Sequence, residues 1–212
     1  SMLQQSLISV SSVFITGMVN RFGADATTAF GASGRIESIV FMPAMSIGLA
    51  ASALTGQNLG AGNVKRVREV FRWGVIMTAG ITLSLSAVIL LFPKPLLTLF
   101  VHDPEILEIG AGYLGTLGYA YILFAVMFVS NGVINGSGRT LVTMCITVLS
   151  VWLVRIPLAA VLSSTGLGIR GIWLAVVIGF AVGLASSLSY YFAGGWKKAA
   201  FRPGQAAGGY LE

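Results

Sequence analysis

Apolar residues run along this chain in long stretches, each set off from the next by a short cluster of charged, amide or glycine residues. Asking where about 18 or more residues pass without an unavoidable charge predicts spans at 2–19, 36–58, 71–92, 113–134, 141–162 and 169–192. The punctuation between them is of the kind that stops helices: Asn20-Arg21-Phe22-Gly23 closes the first and Pro93-Lys94-Pro95 the third. Only helices and closed barrels keep their backbone hydrogen bonds satisfied in hydrocarbon, and the alternating pattern of barrel strands is absent. The expectation is an all-α membrane protein, a six-transmembrane-helix bundle over 1–196 with a basic tail at 197–212. Between the third and fourth spans, Leu96 to Val101 reads as a short amphipathic segment at the interface, and His102-Asp103-Pro104-Glu105 as a turn and helix start. Gly60-Ala61-Gly62 and Gly136-Ser137-Gly138 form a weak internal echo, read as two similar helix-end turns.

Composition agrees and excludes a soluble domain. The chain is 56% hydrophobic before its 27 glycines are counted, with 9% charged residues against about 25% in soluble domains. A net charge of +6 would point to nucleic acid in a soluble protein; here it reports orientation, and no nucleic-acid partner is expected. Lys65, Arg66, Arg68, Arg72, Arg139, Lys197, Lys198 and Arg202 fall on one side, against Arg21, Arg35, Lys94 and Arg170 on the other. By the positive-inside rule both termini are cytoplasmic. The single cysteine, Cys145, has no partner for an intrachain disulfide or a cysteine metal site and reads as a packing residue. No metal or cofactor site is expected, and no nucleophile–base constellation points to an enzyme.

Ionisable side chains at membrane depth cost roughly 2.5–3.5 kcal/mol on insertion scales, so each is a functional candidate. Two stand out: Glu37, at the entrance of the second span, and Arg155, about two thirds of the way outward along the fifth. Either they pair structurally, or Glu37 takes a proton or cation and Arg155 tunes it. Gln5, Ser9, Ser12 and Thr16 follow helical spacing and make one stripe on the first span, facing a neighbouring helix or a water-filled cavity. Phe41, Met42, Met45, Tyr119, Phe124, Met127 and Phe128 suit adaptable contact with flat, greasy cations, and Asn131 and Asn135 add amides on the fourth span. Pro43 and Pro157 each delete one helical hydrogen bond and bend or hinge their helices.

The runs Asn20-Arg21-Phe22-Gly23-Ala24, Gly34-Arg35-Ile36-Glu37 through Phe41-Met42-Pro43-Ala44, and Gly56-Gln57-Asn58-Leu59-Gly60-Ala61-Gly62 resemble the multidrug and toxic compound extrusion (MATE) family. So do Gly136-Ser137-Gly138-Arg139-Thr140, Trp152-Leu153-Val154-Arg155-Ile156-Pro157 and Gly168-Ile169-Arg170-Gly171-Ile172-Trp173. The resemblance implies a multi-pass protein of the plasma membrane, the bacterial inner membrane, built as the C-terminal lobe of a two-lobe transporter. Such transporters export organic cations in exchange for H+ or Na+ by alternating access between lobes. The implied partners are the missing N-terminal lobe or a second, parallel copy of the chain, membrane lipid and organic cation substrates. A related-fold lipid flippase, a six-span pore and a noncatalytic membrane scaffold are the competing readings. The chain departs from sodium-coupled members, whose second lobe carries carboxylates on its first and fourth helices: Met2–Val19 and Tyr113–Ile134 hold none. That pattern fits members whose titrating aspartate sits in the first lobe.

Overall fold

The computed structural model describes residues 2–199, with side chains described from Ser6 to Lys197, and among them every regular element is helical. Helix α1 (Met2–Asn20) turns through Gly23, at φ 103°, into α2 (Ala24–Gly60). Then come α3 (Val64–Leu91), the short α4 (Pro93–Leu97), α5 (Pro104–Gly118) and α6 (Tyr121–Gly136). The next rod is composite: α7 (Thr140–Thr147), a π-helical stretch (Val148–Arg155) and α8 (Ile156–Ser164). Helix α9 (Ile169–Phe192) and a 3₁₀ turn (Gly195–Ala199) complete it.

The helix ends follow from local chemistry. Asp103 caps α5, its side chain accepting from the backbone N–H of Glu105 at 2.9 Å, and Pro104 occupies the first turn, where no N–H is needed. Asn63 accepts from Arg66 N–H at 3.2 Å to cap α3. The internal echo resolves into two matching exits: Gly62 (φ 71°) after α2 and Gly138 (φ 78°) after α6 both take the left-handed conformation.

Four rods are long and apolar enough to cross a bilayer: α2, α3, the continuous 140–164 rod and α9. The α5–α6 pair, bent by 51°, makes a fifth, and the described part of α1 is a shorter apolar helix. Three span starts differ from those predicted, the third helix beginning at Val64 rather than Phe71. The second helix begins at Ala24 rather than Ile36, because hydropathy marks where a helix meets lipid and not where it stops. Residues 24–35 are alanine-rich, and Ala26, Ala29 and Ala32 are buried, so the helix runs on for 37 residues, about 55 Å. Glu37 therefore sits in mid-helix, about 20 Å along from the first turn. The fourth span begins at Pro104 rather than Tyr113 and is broken at Tyr119-Ala120. No proline lies at the break. Glycines at 110, 112, 115 and 118 weaken the preceding turns, and Gly118 lies so close to α3 that a Cβ there would meet Leu90 at 2.6 Å.

Helix α2 is the central rod. Its buried stripe, Ile36, Val40, Ala44, Gly48, Ala51, Thr55 and Leu59, keeps the i, i+3/i+4 spacing of one face. Against α6 the contact is backbone on backbone. A Cβ at Gly132 would stand 2.2 Å from the Gly48 carbonyl oxygen, and one at Gly136 2.2 Å from that of Ser52. These are small residues four apart on each helix, the arrangement that lets membrane helices approach closely. At one end of the bundle Phe30 stacks on Trp173 with centroids 5.7 Å apart, and Tyr113 meets Trp173 edge-on at 4.7 Å. At the other, Phe71 stacks on Tyr191 at 3.9 Å, and buried Trp196 donates from Nε1 to the Tyr191 carbonyl at 3.0 Å. Cys145, read as a packing residue, is exposed on α7.

Candidate functional site

A cavity of about 540 Å³ opens among α1, α2, α6, the π-helical stretch and α9. One wall is aromatic: Phe41 stacks on Phe124 with centroids 3.8 Å apart, and Phe180 meets Phe124 edge-on at 5.3 Å. Methionines 45 and 127 and Phe128 extend the greasy surface. Two charges line the same space, Glu37 from α2 and Arg155 from the end of the π-helical stretch.

Glu37 is held by a group that sequence reasoning missed. The Tyr113 hydroxyl donates to Glu37 Oε2 at 2.9 Å, across 76 residues of chain, from a helix whose start the hydropathy pattern misplaced. No ion pair joins Glu37 to Arg155; among the described residues the ion pair is Lys94–Glu108, at the surface. Arg155 lies with its guanidinium carbon 5.8 Å from the centre of the Phe180 ring. Its Nε is buried without a hydrogen-bond partner. Room for the side chain comes from Gly179, where a Cβ would meet Arg155 Cβ at 3.1 Å.

The π-helical stretch has a local cause. Pro157 cannot donate, and its ring collides with the carbonyl four residues back; the wider winding just before it relieves that conflict, with Ile156 N–H bonding five residues back to the Val151 carbonyl. Pro43, by contrast, lies inside an unbroken α2. The amides sit in the cavity wall with their carbonyls engaged: Asn131 Oδ1 accepts from Ser187 Oγ at 2.7 Å and Asn135 Oδ1 from Thr143 Oγ1 at 2.6 Å. In each case the amide NH₂ is left as the unengaged group.

The structure thus brings Glu37, Phe41, Met45, Asn131 and Arg155 together and leaves other candidates outside. Tyr119 is 76% exposed at the α5–α6 break, away from the cavity. Ser9 and Ser12 are exposed and Thr16 half-buried. Ser12 Oγ donates to the Ser9 carbonyl and Thr16 Oγ1 to that of Ser12, both at 2.8 Å, so these hydroxyls are satisfied by their own helix and need no polar surroundings. The inward stripe of α1 is Ser11, Ile15 and Val19, and its cavity residue is Ile8. The Gln5 side chain lies outside the described residues.

A helical bundle long and apolar enough to cross a bilayer, with a cavity walled by aromatics and a buried charge of each sign, has the features of a small-molecule site within a membrane protein. The MatE family model matches residues 1–161. The probable multidrug resistance protein YpnP of Bacillus subtilis (strain 168) is 34% identical over 195 residues, covering 92% of this chain and 44% of that protein. Among solved structures, an outward-facing multidrug resistance MATE-family transporter of the MOP superfamily superposes with a TM-score of 0.84 at 22% identity, covering 92% of this chain and 45% of that one. An inward-facing one superposes with a TM-score of 0.82 at 22% identity, covering 93% and 47%. The chain belongs to the MATE family, whose members are multi-pass membrane transporters, and it spans less than half the length of these relatives.

Proposed function

We propose that this chain is the C-terminal lobe of a multidrug efflux antiporter that exports aromatic organic cations in exchange for H+ or Na+. The observation that carries the reading is the cavity itself: the Phe41–Phe124–Phe180 wall offers π faces to a flat cation, with the Glu37 carboxylate in the same space. Glu37 is the proposed ion-coupling group, and Arg155 lowers the cost of its charge through the shared cavity. The chain supplies one wall of an interlobe space, so alternating access needs a second lobe, either an N-terminal half or a parallel second copy. Support for rocking as a unit is that the same fold recurs in outward- and inward-facing relatives. The membrane is the bacterial inner membrane, with cytoplasmic termini.

Proteoliposomes loaded with ethidium test this. The verified monomer is expected to give no efflux under a H+ or Na+ gradient. Supplying a first lobe, or enforcing a parallel dimer, restores efflux, and Glu37→Gln removes its dependence on the gradient. Coupled transport by a monomer would overturn the half-transporter reading.

A further inference from the structure

Arg155 puts a positive charge on the wall of a cavity proposed for cations, and the geometry around that residue points to a second kind of ligand group. We infer that the cavity takes flat aromatic molecules bearing a carboxylate, and that Arg155 is the residue that holds the carboxylate. The inference rests on the aromatic cavity described above.

Three observations carry it. First, the guanidinium is idle: it has five N–H donors, makes no hydrogen bond among the described residues, and has its Nε sealed from solvent without a partner. An unsatisfied buried donor is costly, and the carboxylate available to relieve it, Glu37, accepts from Tyr113 through Oε2 and forms no ion pair with Arg155. Second, the guanidinium is posed. Phe180 lies beneath it and Gly179 makes room for its stem, so its N–H edge is what remains to meet an acceptor, and a carboxylate matches that edge with two parallel hydrogen bonds. Third, the NH₂ groups of Asn131 and Asn135 on the same wall are also donors without a hydrogen bond. A ligand bringing acceptors on an aromatic frame satisfies all of these and stacks on Phe41 and Phe124 at once.

The test uses the 212-residue chain in nanodiscs of uncharged lipid and three fluorescent probes: anthracene-2-carboxylate, its isosteric carboxamide, and the 9-aminoacridine cation. The carboxylate is expected to bind about tenfold more tightly than the carboxamide, the scale of one charge-assisted pair. Arg155→Gln erases that preference, and its retained binding of the 9-aminoacridine cation shows that the variant is folded. Arg155→Lys keeps part of the preference, since it retains the charge but not the planar fork. Equal binding of the two anthracenes, or a preference that survives Arg155→Gln, overturns the inference and leaves the aromatic cavity standing. If none of the three probes binds, the cavity reading falls and this inference with it.

Discussion

Helices α2 and α6 meet twice, and the two meetings are built on opposite plans. At Gly48, Ser52, Gly132 and Gly136 the backbones touch, and neither Gly132 nor Gly136 has room for even a methyl group. About two turns away along the same helices, Phe41 and Phe124 place two stacked rings between them. A ring stack holds helix axes farther apart than a glycine contact does, so the pair is pinned at one level and spread at another. The cavity with Glu37 and Arg155 opens beside the spread portion. The lesson is that the volume for a ligand is made by the choice of side chains on two otherwise regular helices, and that the pinned level fixes where the spread one lies.

The comparison breaks most severely at the pin. Gly132→Leu should cost about 3 kcal/mol or more, since overpacking meets backbone that cannot yield, read as a fall in thermal unfolding temperature in detergent. Gly80→Ala, where nothing lies within 4 Å, should be neutral or slightly stabilising within about 1 kcal/mol, which separates steric exclusion from mere glycine content. In the spread portion, Phe124→Ala should destabilise by about 2 kcal/mol, less than a closed core position because its ring already borders empty space, while weakening 9-aminoacridine binding. Tyr113→Phe removes the hydrogen bond to Glu37. Its double-mutant cycle with Glu37→Gln should show about 1 kcal/mol of coupling, and strict additivity would mean that the 2.9 Å contact contributes nothing. Smallest of all, Lys94→Ala at the exposed Lys94–Glu108 pair should change stability by less than about 0.5 kcal/mol, the expectation for a bond outside both regions.

Much of the fold was legible because lipid imposes a simple demand. Long charge-free runs marked the fifth and sixth rods, and the end but not the start of the third, to within a residue or two where lipid ends and helix ends coincide. Where they diverge, as at Ala24–Arg35, the pattern hid twelve helical residues, and Glu37 was read as an entrance residue instead of a mid-helix one. The candidate site was legible in part for the same reason: an ionisable residue in an apolar run stands out, and the structure places Glu37 and Arg155 on one cavity wall. Tyr113 was not, because a tyrosine in an apolar run looks like any other aromatic, and only the packing of α5 on α2 tells which carboxylate its hydroxyl meets. The α1 stripe lies outside this cavity, and its hydroxyls, which can bond to their own helix, carry no information about which face is wet. Gly179 and Phe180 lacked any local signal, since their role is to accommodate a side chain from another rod.

The π-helical stretch ahead of Pro157 has a consequence for the direction in which Arg155 points. Each α-helical residue advances by about 100° around the axis, and winding that bonds five residues back advances by less. Val148–Arg155 therefore works as a phase shifter, setting the azimuth of everything beyond it relative to α7. A substitution inside the stretch leaves that azimuth alone. Rewinding the same eight residues as ordinary i to i−4 helix, at unchanged length, would rotate the downstream face and carry the charge away from the aromatic wall. In this lobe the winding of one short segment, and not only the identity of its residues, decides which way a cation faces.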